Sequence, residues 1–424
     1  PICVDEHEAL ARLGGIANLL LVHDRPIARH ADDSIAWMLD GEARLLRRAR
    51  GYAPAPVLLR APVPTTLGLG AHLKSSVALA IERQVFISQH IGDLDDPVAR
   101  QAYDQVLADL MRLYAVQPLV LAHDLHPDYY TTQVAQRLSQ AATRPPTLIA
   151  VQHHHAHFAA CLAEHHHSDP ALGIIWDGTG YGLDGTIWGG EFLLGNCAHS
   201  ERFAYLRPFG LPGGEAAIRE PWRVALALLY ELEGDELWQR GDLVPVGSLH
   251  DAQRPLLHAM LKRGLNSPRT SSAGRLFDGV AALLGLCQVA SYEGEAALLL
   301  EYYADPHTTT SYPFGLDGPH LDWRPCLAAL LEEQRRGVPI SLISARFHNS
   351  MVAAMVRIAQ QSDVVTIALS GGCFQNRLLS ERACQHLRAS GKQVLMQRLV
   401  PPNDGGICLG QVATVGGREV GSRK

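Results

Sequence analysis

No apolar run in this chain approaches the roughly 20 residues needed to cross a bilayer, which argues against a membrane-spanning helix. A long basic run is missing too. The formal net charge of −6 is spread along the chain, so nothing points to nucleic acid or an anionic membrane as the main partner. No two cysteines form a CxxC pair. The eight (Cys3, Cys161, Cys197, Cys287, Cys326, Cys373, Cys384, Cys408) are scattered, which fits reduced core thiols rather than a disulfide framework or a zinc knuckle and implies a cytoplasmic location. The opening, PICVDEHEALARL, has neither an initiator methionine nor the regions of a signal peptide, and reads as the start of a fragment or processed chain.

Apolar material, by contrast, is ample. With 424 residues, 47% of them hydrophobic, the chain can bury a sizeable core, and its length suggests two or three domains. Residues 53–66, within GYAPAPVLLRAPVPTT, are rich in proline and poor in periodicity, and are expected to form a linker. In the short piece before it, EHEALARL reads as a helix and NLLLVHDRPI as a strand. Its roughly 50 residues are few for an independent core, so residues 1–52 are expected to be the end of a larger domain. Beyond the linker, TLGLGAHLKSSVALAIERQVFISQHIGDL from Thr66 and ALGIIWDGTGYGLDGTIWGGEFLLG from Ala171 share a pattern: an apolar strand, a Gly- or Lys-containing turn, then two more strands, with helices after. The repetition predicts a duplicated α/β protein with lobes at about 67–170 and 171–424 and a ligand cleft between its halves.

The stretch VQHHHAHFAACLAEHHH, residues 151–167, holds seven histidines in seventeen residues. Its Ala-rich body favours a helix after the strand-like TLIAVQ, in the first half of the protein. In a helix, His153 and His157 stand one turn apart on one face and could grip one ion; taken alone, the pair also reads as two satisfied, partly buried histidines. His165, His166 and His167 lie near the helix end and are expected in solvent. An ion held by two neutral imidazoles needs oxygen ligands. Asp177, ending the strand LGIIW and opening a DGTGYG turn, and Asp404, in NDGGICLGQ before a helix, are placed for that role; each serves equally as a turn former or helix cap.

In DGTGYG, Gly178, Gly180 and Gly182 would let the backbone approach an anion and Thr179 would donate to it, the alternative being a plain hairpin turn. IALSGGCFQNRLL runs from a strand through Gly371 and Gly372 into a helix near Asn376, where amides and the helix dipole favour a nucleotide, although it is neither a P-loop nor a GxGxxG. Asp278, in SSAGRLFDGVAALLG, could accept from ribose hydroxyls, and Glu293 and Glu295 of YEGEAA could join it or be solvated helix-start acids. Lys74, in the turn of the first repeat, could meet an anion across the cleft as a catalytic group or simply be solvated.

Taken in order, RPIARHADDSIA, LLRRARGYAP, HIGDL, DLHPDYYTT, VQHHHAH, WDGTGYGLDGTIWGGE, LPGGEAAIREPWR, SSAGRLFDGVAALLG, YEGEAA, LSGGCFQNRLL and NDGGICLGQ resemble one family, the HypF carbamoyltransferases of nickel-iron hydrogenase maturation. The resemblance runs from about Arg25 to Gln411. It implies that residues 1–52 are the tail of a YrdC-like domain. Residues 67–424 would then be a transferase domain of the duplicated actin-like (ASKHA) fold, shared with tRNA threonylcarbamoyladenosine transferases. It implies the family's chemistry: carbamoyl phosphate and ATP give carbamoyl adenylate, whose carbamoyl group passes to the C-terminal cysteine of HypE. It also implies a divalent ion, Fe or Zn, held by His153, His157, Asp177 and Asp404 beside the phosphates of a nucleotide whose adenosine lies near Gly371, Gly372, Asn376 and Asp278. The rival readings are a transferase acting on tRNA, against which the REPWR and LHPDYYTT strings and the missing basic, aromatic-rich surface weigh, and a non-catalytic actin-like nucleotide-binding scaffold, which has no need of a His/His/Asp/Asp set.

Overall fold

A computed structural model describes residues 2–422 and divides the chain into two compact α/β units. The first draws on residues up to Val151, on 163–167 and on the chain from Gln397 onward; the second on 152–162 and 168–396.

The first unit opens with the helix Glu6–Leu13, where EHEALARL led us to expect one; Asp5 caps it, its carboxylate accepting from the amides of His7 and Glu8. NLLLVHDRPI forms no strand. Leu19 and Leu21 are 88% and 99% exposed, and with no neighbouring strand among the described residues an apolar run has no ladder to satisfy its amides. Strands β1 (Ile35–Leu39) and β2 (Glu42–Arg47) make a hairpin around Asp40 and Gly41, both at positive φ, the two-residue turn that matches strand twist. Arg48 then ties this piece down by donating to the carbonyls of Ile87, Tyr52 and Leu399.

The expected linker, 53–66, is a strand for most of its length. Strand β3 (Pro56–Gly68) pairs antiparallel with β4 (Ala78–Ile87), and the register shifts lie between Leu58 and Val63 and between Val63 and Thr66. Pro62 and Pro64 fall at those shifts, so their missing N–H groups remove no bond from a regular ladder. Parallel strands β5 (Val120–Asp124) and β6 (Thr147–Val151) complete the order β4-β3-β5-β6. The third hairpin strand expected after β4 is absent among the described residues, where a single bridge joins Ser75 to Gly92. Leu67, Leu79 and Leu121 face Tyr103, Val106 and Leu110 of the helix Pro97–Tyr114 and Val134 of the helix Tyr130–Ala141. Val120 and Ala122, alternating to the other face, pack on Val415 of the C-terminal helix Ile407–Ser422.

That helix therefore belongs to the first unit, correcting the division of the chain at residue 171. It seats closely because β3 offers a glycine there: a Cβ on Gly68 would collide with the carbonyl oxygen of Cys408 and stand 3.2 Å from Val412. The histidine helix His153–Glu164, expected in the first half, belongs to the second unit through residue 162. Phe158, Cys161 and Leu162 pack there on Ala171, Ile175, Leu193 and Ala368.

The second unit is built on β7 (Ala171–Tyr181), β8 (Ile187–Gly195), β9 (Ser200–Leu206), the two-residue β10 (Phe209–Gly210) and β11 (Arg269–Thr270), β12 (Gly315–Asp317), β13 (His320–Asp322), β14 (Thr366–Ser370) and β15 (Gln393–Met396). The main path is β12-β13-β9-β8-β7-β14-β15. Here β7 and β8 are antiparallel while β14 runs parallel to both β7 and β15. The order β8-β7-β14-β15 thus repeats β4-β3-β5-β6, a hairpin whose first strand is extended by two parallel strands. The expected duplication of the actin-like α/β class is present as topology. No helix among the described residues is long and apolar enough to cross a membrane.

Candidate metal centre

Gln152 starts the histidine helix: its Oε1 accepts from the amide of His155 at 2.8 Å, and its Nε2 donates to the carbonyl of Tyr181 at 3.0 Å. His153, His154 and His157 are fully buried and His155 nearly so, deeper than the partly buried pair of the plain reading. The four diverge in role. His155 lies between the Ser200 hydroxyl and the Cys197 carbonyl, 2.8 and 3.0 Å away. His154 lies 3.1 Å from Gln152 Nε2, and burial, reinforced by His153, pushes its pKa well below the usual imidazole range, so it stays neutral.

His153 and His157, one turn apart, both aim Nε2 at a single atom, Asp177 Oδ2, at 3.2 Å each. Burial pushes the Asp177 carboxyl up, but hydrogen bonds with the two histidines more than offset this and hold it well below the usual carboxylate range. Donor atoms of the three residues lie within 4.8 Å of one another. Ligands about 2.1 Å from a shared ion sit about 3.0–3.4 Å apart for angles of about 90–110°, so the 3.2 Å spacing and the nitrogen and oxygen donors fit a divalent transition ion.

Asp177 does not open a turn. Strand β7 runs on to Tyr181, and its pairing with β8 is interrupted between Trp176 and Gly180, which lifts Asp177, Gly178 and Thr179 out of the ladder. The turn comes later, where the Gly182 amide donates to the Thr186 carbonyl at 2.9 Å. Gly180 is explained by the histidines: a Cβ there would stand 2.9 Å from His153 Cδ2 and from His154 Nδ1. Gly178 and Thr179 are half-buried and remain beside the carboxylate.

The loop after β14 serves the same carboxylate. Gly371 crosses β7 at φ 101° and ψ 159°, a conformation open to glycine alone, and the Gly372 amide donates to Asp177 Oδ1 at 2.9 Å. That amide therefore fixes the Asp177 carboxylate. Asn376 caps the next helix by accepting from the Leu379 amide at 2.8 Å, and its Nδ2 lies 2.9 Å from His348 Nε2, so both ends of its amide are engaged. Asp278 is buried and paired with Arg275 at 3.0 Å, and burial pushes its carboxyl up to about 6. Glu295 is half-buried and accepts from the Ser291 amide, which fits a helix-start acid. Burial, together with Asp177, pushes the Cys373 thiol well above its usual range, which disfavours its thiolate form.

In the first unit, Lys74 adopts a left-handed φ of 45° and its amide donates to Asp93 Oδ1 at 2.8 Å. Asp404 opens the 3₁₀ turn Asp404–Gly406, which Asn403 caps by accepting from the Gly405 amide at 3.0 Å, just before the C-terminal helix as expected. Sequence reasoning missed Gln152 and Ser272. Ser272 donates to the carbonyls of Asp177 and Gly178 at 2.9 and 2.7 Å; its place before GRLFD marks it as a helix cap, yet nothing local indicates what else it holds.

Comparison with known proteins agrees with this architecture. The family described as HypF Kae1-like domain matches residues 61–164, and that described as Carbamoyltransferase, Kae1-like Domain, second subdomain, matches residues 173–411. Carbamoyltransferase HypF of Synechocystis sp. is 42% identical over 97% of this chain and 55% of its own length, and a Carbamoyltransferase HypF homolog of Cupriavidus necator is 40% identical over 81% of this chain and 90% of its own. A crystal structure of full-length HypF in the phosphate- and nucleotide-bound form has a TM-score of 0.91 at 36% identity, covering 99% of this chain and 66% of that one. The chain spans about half the length of several of the curated relatives it matches. Two domain families matched in order and a relative covered nearly end to end lead to one assignment: the chain belongs to the HypF carbamoyltransferase family.

Proposed function

We propose that this chain carries the transfer half of the HypF reaction, moving a carbamoyl group from carbamoyl adenylate to the C-terminal cysteine of HypE for the cyanide ligands of nickel-iron hydrogenase. The adenylate itself is made from carbamoyl phosphate and ATP. The observation that carries the reading is the convergence of His153 and His157 on Asp177 in a chain of this family. These three would hold Fe or Zn, with Asp404, taken from the sequence resemblance, as the fourth donor. The ion supplies Lewis-acid stabilisation of the leaving phosphate's charge.

The chain's own residues bind and orient. Gly178, Thr179 and Gly180, at the break in β7, face the phosphates; Gly371, Gly372, Asn376 and Asp278 shape the adenosine side; Lys74 adds positive charge for the substrate anion. The acceptor thiolate attacks the carbamoyl carbon, a C–S bond forms, the C–O bond to phosphate breaks, and AMP departs with the electron pair. The nucleophile belongs to the partner, in keeping with the suppressed acidity of Cys373.

Mass spectrometry of HypE tests this. The metal-loaded chain should carbamoylate HypE when given preformed carbamoyl adenylate. No product from the adenylate would refute the assignment.

A further inference from the structure

Ser272 caps the helix Ala273–Leu283, accepting from the Arg275 amide at 3.0 Å while its hydroxyl is directed at the carbonyls of Asp177 and Gly178. The first turn of that helix is thereby held against β7 at the metal ligand: a Cβ on Gly274 would stand 3.1 Å from Gly178 Cα. Arg275 lies in this turn and is 5% exposed. Its Nη2 meets Asp278 Oδ2 at 3.0 Å and lies 3.6 Å from where a Cβ on Gly178 would be. Its Nε and Nη1 are buried with no hydrogen-bond partner among the described residues. Gly178 follows Asp177 directly, so the guanidinium lies one residue from the carboxylate that His153 and His157 meet.

A guanidinium carries five N–H donors and stays charged, and buried donors left without acceptors are costly. One carboxylate satisfies one of its nitrogens here. We propose that Arg275 is an anion-binding residue, its Nε and Nη1 donating to the oxygens of a phosphoryl group beside the metal centre. A guanidinium next to a divalent-ion site suits an anion with several charged oxygens. The assignment rests on the nucleotide reading of this centre and names the residue that grips the phosphate.

Calorimetry on the full metal-loaded chain tests it with two probes, ATP and inorganic tripolyphosphate. Arg275→Met should weaken both by about 10- to 100-fold, the size expected for charge-assisted hydrogen bonds. If the parent binds neither probe, the nucleotide reading fails and this inference falls with it. If the parent binds ATP and Arg275→Met binds it equally, only the role of Arg275 is overturned. Loss of ATP binding with tripolyphosphate unchanged also overturns it, since the arginine would then act on the nucleoside through Asp278. Should Arg275→Met fail to fold by circular dichroism, the near-isosteric Asp278→Asn decides. It keeps Arg275, releases Nη2 and removes a negative charge, so tripolyphosphate should bind more tightly; unchanged or weaker binding refutes the proposal.

Discussion

Replacing Gly371 with alanine should damage fold and metal centre together. At φ 101° and ψ 159° the backbone is in a region that costs a non-glycine residue about 1–3 kcal/mol. The added methyl would collide with the carbonyl oxygen of Trp176 and stand 2.7 Å from its carbonyl carbon. Trp176 cannot retreat cheaply, because it pairs with Gly190 of β8 while Ile174 and Ile175 pair with Leu369 and Ser370 of β14. Overpacking of this kind adds about 1–3 kcal/mol. The strain falls on the next residue, Asp177, and on its bond from Gly372. Gly391→Ala is the control: its φ of 85° is also positive, but nothing lies within 4 Å of the new methyl, so only the conformational cost of about 1–2 kcal/mol applies. With two units in one chain, urea midpoints of the second-unit transition are the sound comparison. Gly371→Ala should fall further than Gly391→Ala and bind less metal after reconstitution. Equal midpoints with full metal content would refute the reasoning.

Two further outcomes follow from the same geometry. His153→Ala and His157→Ala should each lower metal content, measured by plasma emission, while far-ultraviolet circular dichroism stays unchanged; a His157→Ala protein with the parent's metal content would remove it from the ligand set. Asp278 should make stability depend on pH: burial raises its folded pKa to about 6, so between about pH 4 and 6 the folded chain keeps a proton that the unfolded chain has lost, and stability falls as pH rises through that window, by about 3 kcal/mol at most. Asp278→Asn should flatten that part of the melting-temperature profile, and an identical slope in both proteins would count against the buried, protonated carboxyl.

Local chemistry decided a good part of this protein in advance. The spacing of His153 and His157 puts both rings on one helix face whatever surrounds them, and an Ala-rich run after TLIAVQ is helical by propensity. The strand-loop-helix of IALSGGCFQNRLL and the Gly-flanked turn at Asp404 were legible for the same reason, since caps and tight turns are written in neighbouring residues. Pairing was not legible. Proline-rich 53–66 becomes mostly β3 because Pro62 and Pro64 meet β4 where the register already shifts, and DGTGY stays in β7 across a break in its pairing with β8 at Asp177. NLLLVHDRPI, apolar enough for a strand, has no partner strand among the described residues and forms none. The Gly372 amide, with every mark of a phosphate donor, turns to Asp177 only because β14 lies beside β7. Period and capping are properties of a few consecutive residues, whereas register, close approach and the burial of Arg275 depend on separate segments, Asp177 and Gly372 lying 195 residues apart, which only the folded structure brings together.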